Sequence, residues 1–220
     1  MALKLMRSAG IEQPASLIDV GCGWGVNLSA FEAAGYRICG LDTSRQILDL
    51  IDQPGRSLIQ ADLTQPLPAN HAQYEAGLML DVLEHLDDDR GALRRVARLI
   101  RPGGMLIVSV PALPELFSEY DRMQGHRRRY TAESFRSIFE DSGFSVVDQH
   151  WWGAWMVPIL KRMRRDAGGP AKSYSDYLRI PPWPVPLLMR GFYELEALPS
   201  IRKRLTVGTS LIAILARNQS

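Results

Sequence analysis

The chain is poor in cysteine and histidine and has no long apolar run. Its 220 residues hold two cysteines and four histidines. Cys22 and Cys39 stand in or beside the first two expected strands, in neither a C-x-x-C nor a metal-ligand spacing. They read as reduced packing residues of a cytoplasmic protein, which excludes a disulfide framework. No metal site is expected. The longest apolar stretch, Leu205 to Ala216, is interrupted by Thr206, Gly208, Thr209 and Ser210, so no membrane-spanning helix is expected. Met1 to Gln13 lacks the apolar core of a signal peptide and is expected to be a short helix closing over the ligand site. There is no internal repeat. The length suits one α/β core.

What is present is an apolar strand that stops in alternating glycines, Leu17-Ile-Asp-Val-Gly-Cys-Gly-Trp-Gly25. Asn27 is the expected N-cap of the following helix, with Leu28, Phe31 and Ala34 on its apolar face. Such a turn lets backbone approach a ligand and presents free helix N–H groups. Further strands are expected over Tyr36–Asp42, Leu58–Asp62, Ala76–Asp81, Met105–Val110, Phe144–Trp151 and Leu205–Ala216. Thr43 to Ile51 and Asp87 to Ile100 have helical spacing, and Arg101-Pro-Gly-Gly104 is expected to break the chain. Strands alternating with helices imply a parallel sheet covered on both faces, with ligands at the carboxyl ends of its strands. Asp42, Asp62 and Asp81 fall there.

Asp19-Val-Gly-Cys-Gly-Trp-Gly25, Gly40-Leu-Asp42, Ala61-Asp62, Asp81-Val-Leu-Glu-His85 and Leu99-Ile-Arg-Pro-Gly-Gly104 together resemble the class I S-adenosylmethionine-dependent methyltransferases of the small-molecule branch. The resemblance covers roughly residues 15 to 150, with a fitting last strand. It implies a Rossmann-like α/β fold: a mostly parallel seven-stranded sheet with helices on both faces. It also implies one domain over 1–220, with a core at 15–151 and 205–216 and lid insertions at 112–130 and 152–204. Carried over residue by residue, Gly21, Cys22, Gly23 and Gly25 would hold the methionine end and ribose of the cofactor, and Asp19 its ammonium. Asp42 would take both ribose hydroxyls and Thr43 would flank the adenine. Asp62 and Leu63 would meet the adenine, and Leu80, Asp81 and Val82 would line the floor below the methyl donor. A nicotinamide-dependent oxidoreductase is the rival. Its fingerprint wants a third glycine where Val26 stands, and a pyrophosphate would be repelled by Asp19. A third reading is a cofactor-binding partner subunit without catalysis.

Gly125-His126-x-Arg-Arg-Tyr-Thr131 resembles a pattern of bacterial methyltransferases from glycan and natural-product contexts. It places His126 near the methyl-donor end. A hydroxyl acceptor needs a base, and His126 is the first candidate, then His85 and Glu84. Arg128 and Arg129 are candidate binders of acceptor carboxylate or phosphate, unless the arginines of this run pair with Glu119 and Asp121. Tyr130 is a candidate acceptor contact. Thr131 is an expected N-cap with an incomplete capping box, since Ser134 stands where Glu would. His71 and His150 are expected at the surface.

Charge is uneven. Residues 152–204 hold ten Lys and Arg against four Asp and Glu, a net of +6 in a chain totalling +2. The same stretch carries Trp152, Trp155 and Trp183. A stretch this long between the last two strands reads as a substrate roof, which makes Trp152 and Trp155 candidate walls of an apolar acceptor pocket. The alternatives are peripheral contact with an anionic membrane through 152–204, and helices that pack on the sheet with their arginines solvated. The basic residues do not extend over the core and no RNA-binding motif accompanies them, so nucleic acid is not expected as a partner. The oligomeric state stays open.

Overall fold

A computed structural model describes residues 2–67, 73–165 and 182–219. His71, Pro170 and Pro181 fall outside these residues, as do the side chains of Met163, Arg164 and Arg165. The chain runs α1 (Ala2–Ser8), β1 (Ser16–Val20), α2 (Val26–Ala33), β2 (Arg37–Asp42), α3 (Arg45–Ile51), β3 (Ser57–Gln60) and β4 (Tyr74–Leu80). It continues through α4 (Asp89–Ala97), β5 (Ile100–Pro111), α5 (Glu119–Met123), α6 (Ala132–Ser137) and β6 (Phe144–Trp152). The last part is α7 (Met156–Arg165), α8 (Val185–Glu196), α9 (Pro199–Arg202) and β7 (Ser210–Arg217). Short 3-10 turns occupy Leu83–His85 and Pro114–Leu116.

The seven strands form one sheet in the order β3-β2-β1-β4-β5-β7-β6. The first five pair in parallel, and β7 runs antiparallel to both β5 and β6. This is the mostly parallel, seven-stranded α/β sheet that the sequence implies. Strand pleat sends alternate side chains to opposite faces. Leu17, Leu78 and Ile107 therefore pack on one side with Met6, Leu28 and Phe31. Ile18, Met79 and Val108 pack on the other with Leu93, Val96 and Phe135. Strands covered on both faces have to be apolar almost throughout, which is why they stand out in the sequence.

Several local expectations are corrected. The α2 N-cap is Gly25, at φ +69°, and Asn27 lies in the first helical turn, where it hydrogen-bonds Asp19. Arg101–Gly104 does not break the chain, because β5 runs through it with a register shift against Tyr74–Ala76. Gly104 permits this: a Cβ there would stand 2.7 Å from the Glu75 carbonyl oxygen. β7 starts at Ser210 instead of Leu205, after Gly208 has passed the Trp152 backbone, where a Cβ would meet oxygen at 2.4 Å. α1 packs on the sheet and lines no part of the cavity at the strand ends. Its Leu5 and Met6 are buried against the sheet face, and Lys4 pairs with Glu194 of α8.

The capping box before α6 is complete, because Ser134 Oγ accepts from Thr131 N–H at 3.0 Å while Thr131 Oγ1 accepts from Ser134 N–H at 3.0 Å. Ser thus fills the Glu role. His150 is buried, not at the surface, with Nδ1 3.3 Å from Asp148 Oδ2. Burial, aided by the nearby Arg202 charge and opposed by Asp148, depresses it to about 4.

Candidate functional site

A cavity of about 480 Å³ opens at the carboxyl ends of β1, β2 and β4, at the switch point where the sheet changes direction. Gly21, Asp42, Thr43, Asp62, Leu63, Asp81, Val82 and His85, all singled out from the sequence, line it. Leu41, Ile47, Ala61 and Leu86 line it as well and were missed. Ile47 had a legible signal, since it stands one helical turn beyond Thr43.

The glycine turn is held by short backbone bonds. Gly21 N and Cys22 N both donate to the Leu41 carbonyl oxygen, at 2.7 and 3.1 Å. Gly21 sits at φ +76°, and a Cβ there would lie 2.5 Å from Val82 Cγ2. Only glycine fits against that wall. Gly23 N donates to Asp42 Oδ2 at 3.0 Å, and Ser44 N donates to Asp42 Oδ1 at 2.9 Å. Asp42 thus ties the turn to the start of α3, and each oxygen keeps a lone pair for a ligand. Asp62 is exposed at the far wall, where Oδ1 accepts from Thr64 N–H at 2.8 Å. Cys22, Gly23, Gly25, Leu80 and Asp19 do not line the cavity and stand behind or beside it.

Asp19 is only 1 % exposed, and its Oδ2 has no hydrogen-bond partner among the described residues. Burial pushes the carboxyl up to about 6, opposed by the Asn27 hydrogen bond and helped by the Asp42 charge. An unpartnered buried carboxyl oxygen beside a glycine turn suits a cation or a bridging water.

At the Asp81 end the 3-10 turn Leu83–His85 meets the 118–130 segment. Arg127 N donates to the Glu84 carbonyl oxygen at 2.8 Å, and Arg127 Nε to that of His85 at 2.7 Å. The His85 and His126 rings stand edge to face, with centroids 4.8 Å apart. His126 Nδ1 is 3.3 Å from Asp121 Oδ1, and His126 Nε2 is 3.9 Å from Glu84 Oε1. Glu84 is fully buried. Burial, with Asp81 nearby, raises its carboxyl to about 8. Burial, with the neighbouring His85, lowers His126 against the pull of Asp121. Burial also opposes the Asp121 charge, but hydrogen bonds from Arg129 and Ser118 outweigh it and hold that carboxyl low. Asp81, in the left-handed region at φ +54°, opens to the cavity, while packing around its carboxyl raises it against the Ser109 hydrogen bond. Glu84, His85 and His126 also form a cluster of metal-ligand type that the sequence reading did not find.

The arginines are engaged internally. Arg127 pairs with Asp87, and Arg128 Nη1 is 3.3 Å from Asp89 Oδ2. Arg129 Nε donates to Asp121 Oδ1 at 2.7 Å and Arg129 Nη1 to the Ala112 carbonyl oxygen at 3.1 Å. Of the alternative pairings of this run with Glu119 and Asp121, only that of Arg129 with Asp121 forms among the described residues, and Glu119 pairs with Arg122. Tyr130 is 2 % exposed and donates to Asp89 Oδ2 at 2.9 Å, so it holds the segment from inside and is closed to an acceptor. Trp152 stacks on Tyr193 with centroids 5.5 Å apart, and Trp155 on Phe192 at 5.3 Å. These contacts pack α8 onto the sheet edge. No described residue of 152–204 lines the cavity, so the expected roof does not cover it there.

A family model described as a methyltransferase domain matches residues 1–149. C-methyltransferase NovU of Streptomyces niveus is 27% identical over 141 residues, covering 61% of this chain and 34% of that protein. Ubiquinone biosynthesis O-methyltransferase of Klebsiella pneumoniae is 31% identical over 99 residues, 42% of this chain and 41% of that protein. The chain therefore spans less than half the length of either curated relative. An S-adenosylmethionine dependent methyltransferase structure from Mesorhizobium loti superposes with a TM-score of 0.59 at 16% identity, covering 93% of this chain and 91% of that one. That likeness concerns the fold. With the glycine turn, its acids and their spacing inside the matched region, the chain belongs to the methyltransferase family.

Proposed function

We propose that this protein transfers the methyl group of S-adenosylmethionine to an oxygen of a small apolar acceptor. The observation that carries the reading is the convergence on one cavity of the Gly21 turn, Asp42, Asp62 and the Asp81–His85 segment. Bound there, the cofactor supplies a methyl group on a cationic sulfur. Asp19 Oδ2, buried and unpartnered, fits its ammonium, and Asp42 fits its ribose hydroxyls. Ile47, Ala61 and Leu63 give an apolar slot for its adenine. The chain's remaining work is alignment and exclusion of water.

Oxygen is favoured over nitrogen or carbon by the polar group beside Asp81, where Asp121 orients His126 and Glu84 and His85 stand alongside. His126 is the first candidate to receive the acceptor proton, then His85, which lines the cavity; Glu84 is fully buried and stands behind them. The resemblance of Gly125–Thr131 to a pattern of glycan and natural-product methyltransferases supports an acceptor of that kind. The nicotinamide alternative gains nothing from the family match. Incubation with methyl-labelled S-adenosylmethionine and a panel of apolar hydroxyl, amine and carbon acceptors is expected to label a hydroxyl compound. Label confined to amines or carbons would overturn the oxygen assignment. No transfer despite tight cofactor binding would favour the non-catalytic partner subunit.

Peripheral membrane contact is a second reading, carried by α8. Leu187 and Leu188 are each 59% exposed, Phe192, Leu195 and Leu198 are exposed as well, and so are the basic Arg190, Lys203 and Arg204 of the same stretch. No helix among the described residues is long and apolar enough to cross a membrane, so contact would be with a surface. Anionic vesicles at low salt are expected to sediment the protein, and Leu187→Glu with Phe192→Glu to release it. Equal recovery with and without vesicles would contradict this.

A further inference from the structure

Glu84, His85 and His126 each offer one metal-binding atom, and the three atoms lie within 4.8 Å of one another. Both imidazoles are oriented from behind. His126 Nδ1 faces Asp121 Oδ1 at 3.3 Å, and His85 Nδ1 faces the Gly125 carbonyl oxygen at 3.2 Å. A ring that donates through Nδ1 to an acceptor carries its lone pair on Nε2, which is how protein frameworks prepare histidine to ligate a metal.

Glu84 gives a second, independent observation. It is fully buried, and neither carboxyl oxygen has a hydrogen-bond partner among the described residues. Leaving a buried polar group unpartnered is costly, and more so when it is charged. Oε1 points toward His126 Nε2, 3.9 Å away. A cation between them satisfies the carboxyl group and both ring nitrogens together.

We propose that Glu84, His85 and His126 bind a divalent transition-metal ion beside the Asp81 end of the cavity, which His85 lines. Two imidazoles and one carboxylate suit Zn²⁺ or Co²⁺ better than Mg²⁺, which prefers oxygen ligands and its own waters. Bonds of about 2.0–2.2 Å draw the three atoms in from their present spacing. His85, half-buried and lining the cavity, has the room to move. The ion's role rests on the methyl-transfer reading of that cavity. Such an ion would let an acceptor hydroxyl held beside it release its proton to water nearer neutral pH than in solution, and His126 would then serve as a ligand instead of the base.

The test is a Co²⁺ titration of chelator-stripped, full-length protein, followed by visible d–d absorption, with Zn²⁺ as competitor. One Co²⁺ per chain is expected, displaced by Zn²⁺. Glu84→Gln and His126→Ala are each expected to weaken it at least tenfold. S-adenosylhomocysteine affinity, measured on the same metal-free samples, reports folding and the cofactor site separately. Absence of a visible band in wild-type protein that binds S-adenosylhomocysteine would overturn the metal site and leave the methyl-transfer reading standing. A band of equal strength in both variants would overturn it too.

Discussion

Asp42→Ala is expected to weaken S-adenosylhomocysteine binding by at least about a hundredfold. The carboxylate stands at the end of β2 on the cavity wall, fixed by hydrogen bonds from Gly23 N and Ser44 N. A lone pair on each oxygen is thereby aimed at the cavity, a fit for two adjacent ribose hydroxyls. Each hydrogen bond to a charged group contributes roughly 1.5–3 kcal/mol, and 1.4 kcal/mol is a factor of ten in affinity. Removing both exceeds two orders of magnitude. The fold should survive, because the freed Gly23 and Ser44 N–H groups lie near water, and the melting midpoint should fall by a few degrees only. Calorimetric titration with a thermal melt of the same sample checks both halves. Unaltered affinity would contradict the ribose assignment.

Asp19→Asn is expected to move stability and affinity in opposite directions. Its carboxyl titrates near 6 in the fold instead of at the ordinary 3.8. The folded state therefore binds the proton more tightly than the unfolded chain does. Above pH 6 the buried charge costs the free protein about 3 kcal/mol, and the cost shrinks as pH falls through 6 and vanishes below 3.8. Removing the charge should raise the melting midpoint of the ligand-free protein by several degrees at pH 8. The gain should fade toward pH 4. The same change removes the partner of the cofactor ammonium and should weaken S-adenosylhomocysteine at least tenfold. A destabilised variant at pH 8, or one with unaltered affinity, would show that Asp19 is an ordinary structural acid. The trade follows a general pattern in which a site is strained until its ligand arrives.

The parts of the fold that were legible are those where burial leaves one choice. β1, β4 and β5 are covered on both faces, so Leu17–Val20, Ala76–Leu80 and Met105–Val110 had to be apolar but for Asp19 and Ser109. Boundaries set by tertiary contact were not legible. Nothing local says that Asn27 is needed by Asp19 more than by the helix start, or that β5 continues through Gly103 and Gly104 because the bulge keeps its pairing. The side of the cavity proposed for the cofactor was legible because its residues cluster at strand ends: Gly21, Asp42, Asp62 and Asp81 all sit there.

The acceptor side was harder. Arg127 and Arg128 find Asp87 and Asp89 some forty residues away, and the Tyr130 hydroxyl reaches the same Asp89. Spacing in sequence carries no trace of such pairs. The Asp121–Arg129 pair lies only eight residues apart within one segment, which keeps it legible in the sequence. Glu84, His85 and His126 were each visible as candidate bases, but their meeting depends on the 118–130 segment docking onto the turn after β4. Only the assembled chain shows that contact.

The central claim is that the cavity at Gly21, Asp42 and Asp62 is built for S-adenosylmethionine. Calorimetric titration of the purified protein with S-adenosylhomocysteine, with NAD as the control, tests it most directly. The account predicts one site per chain with micromolar affinity for the former and no heat from the latter. Binding of NAD, or silence toward S-adenosylhomocysteine, would contradict it.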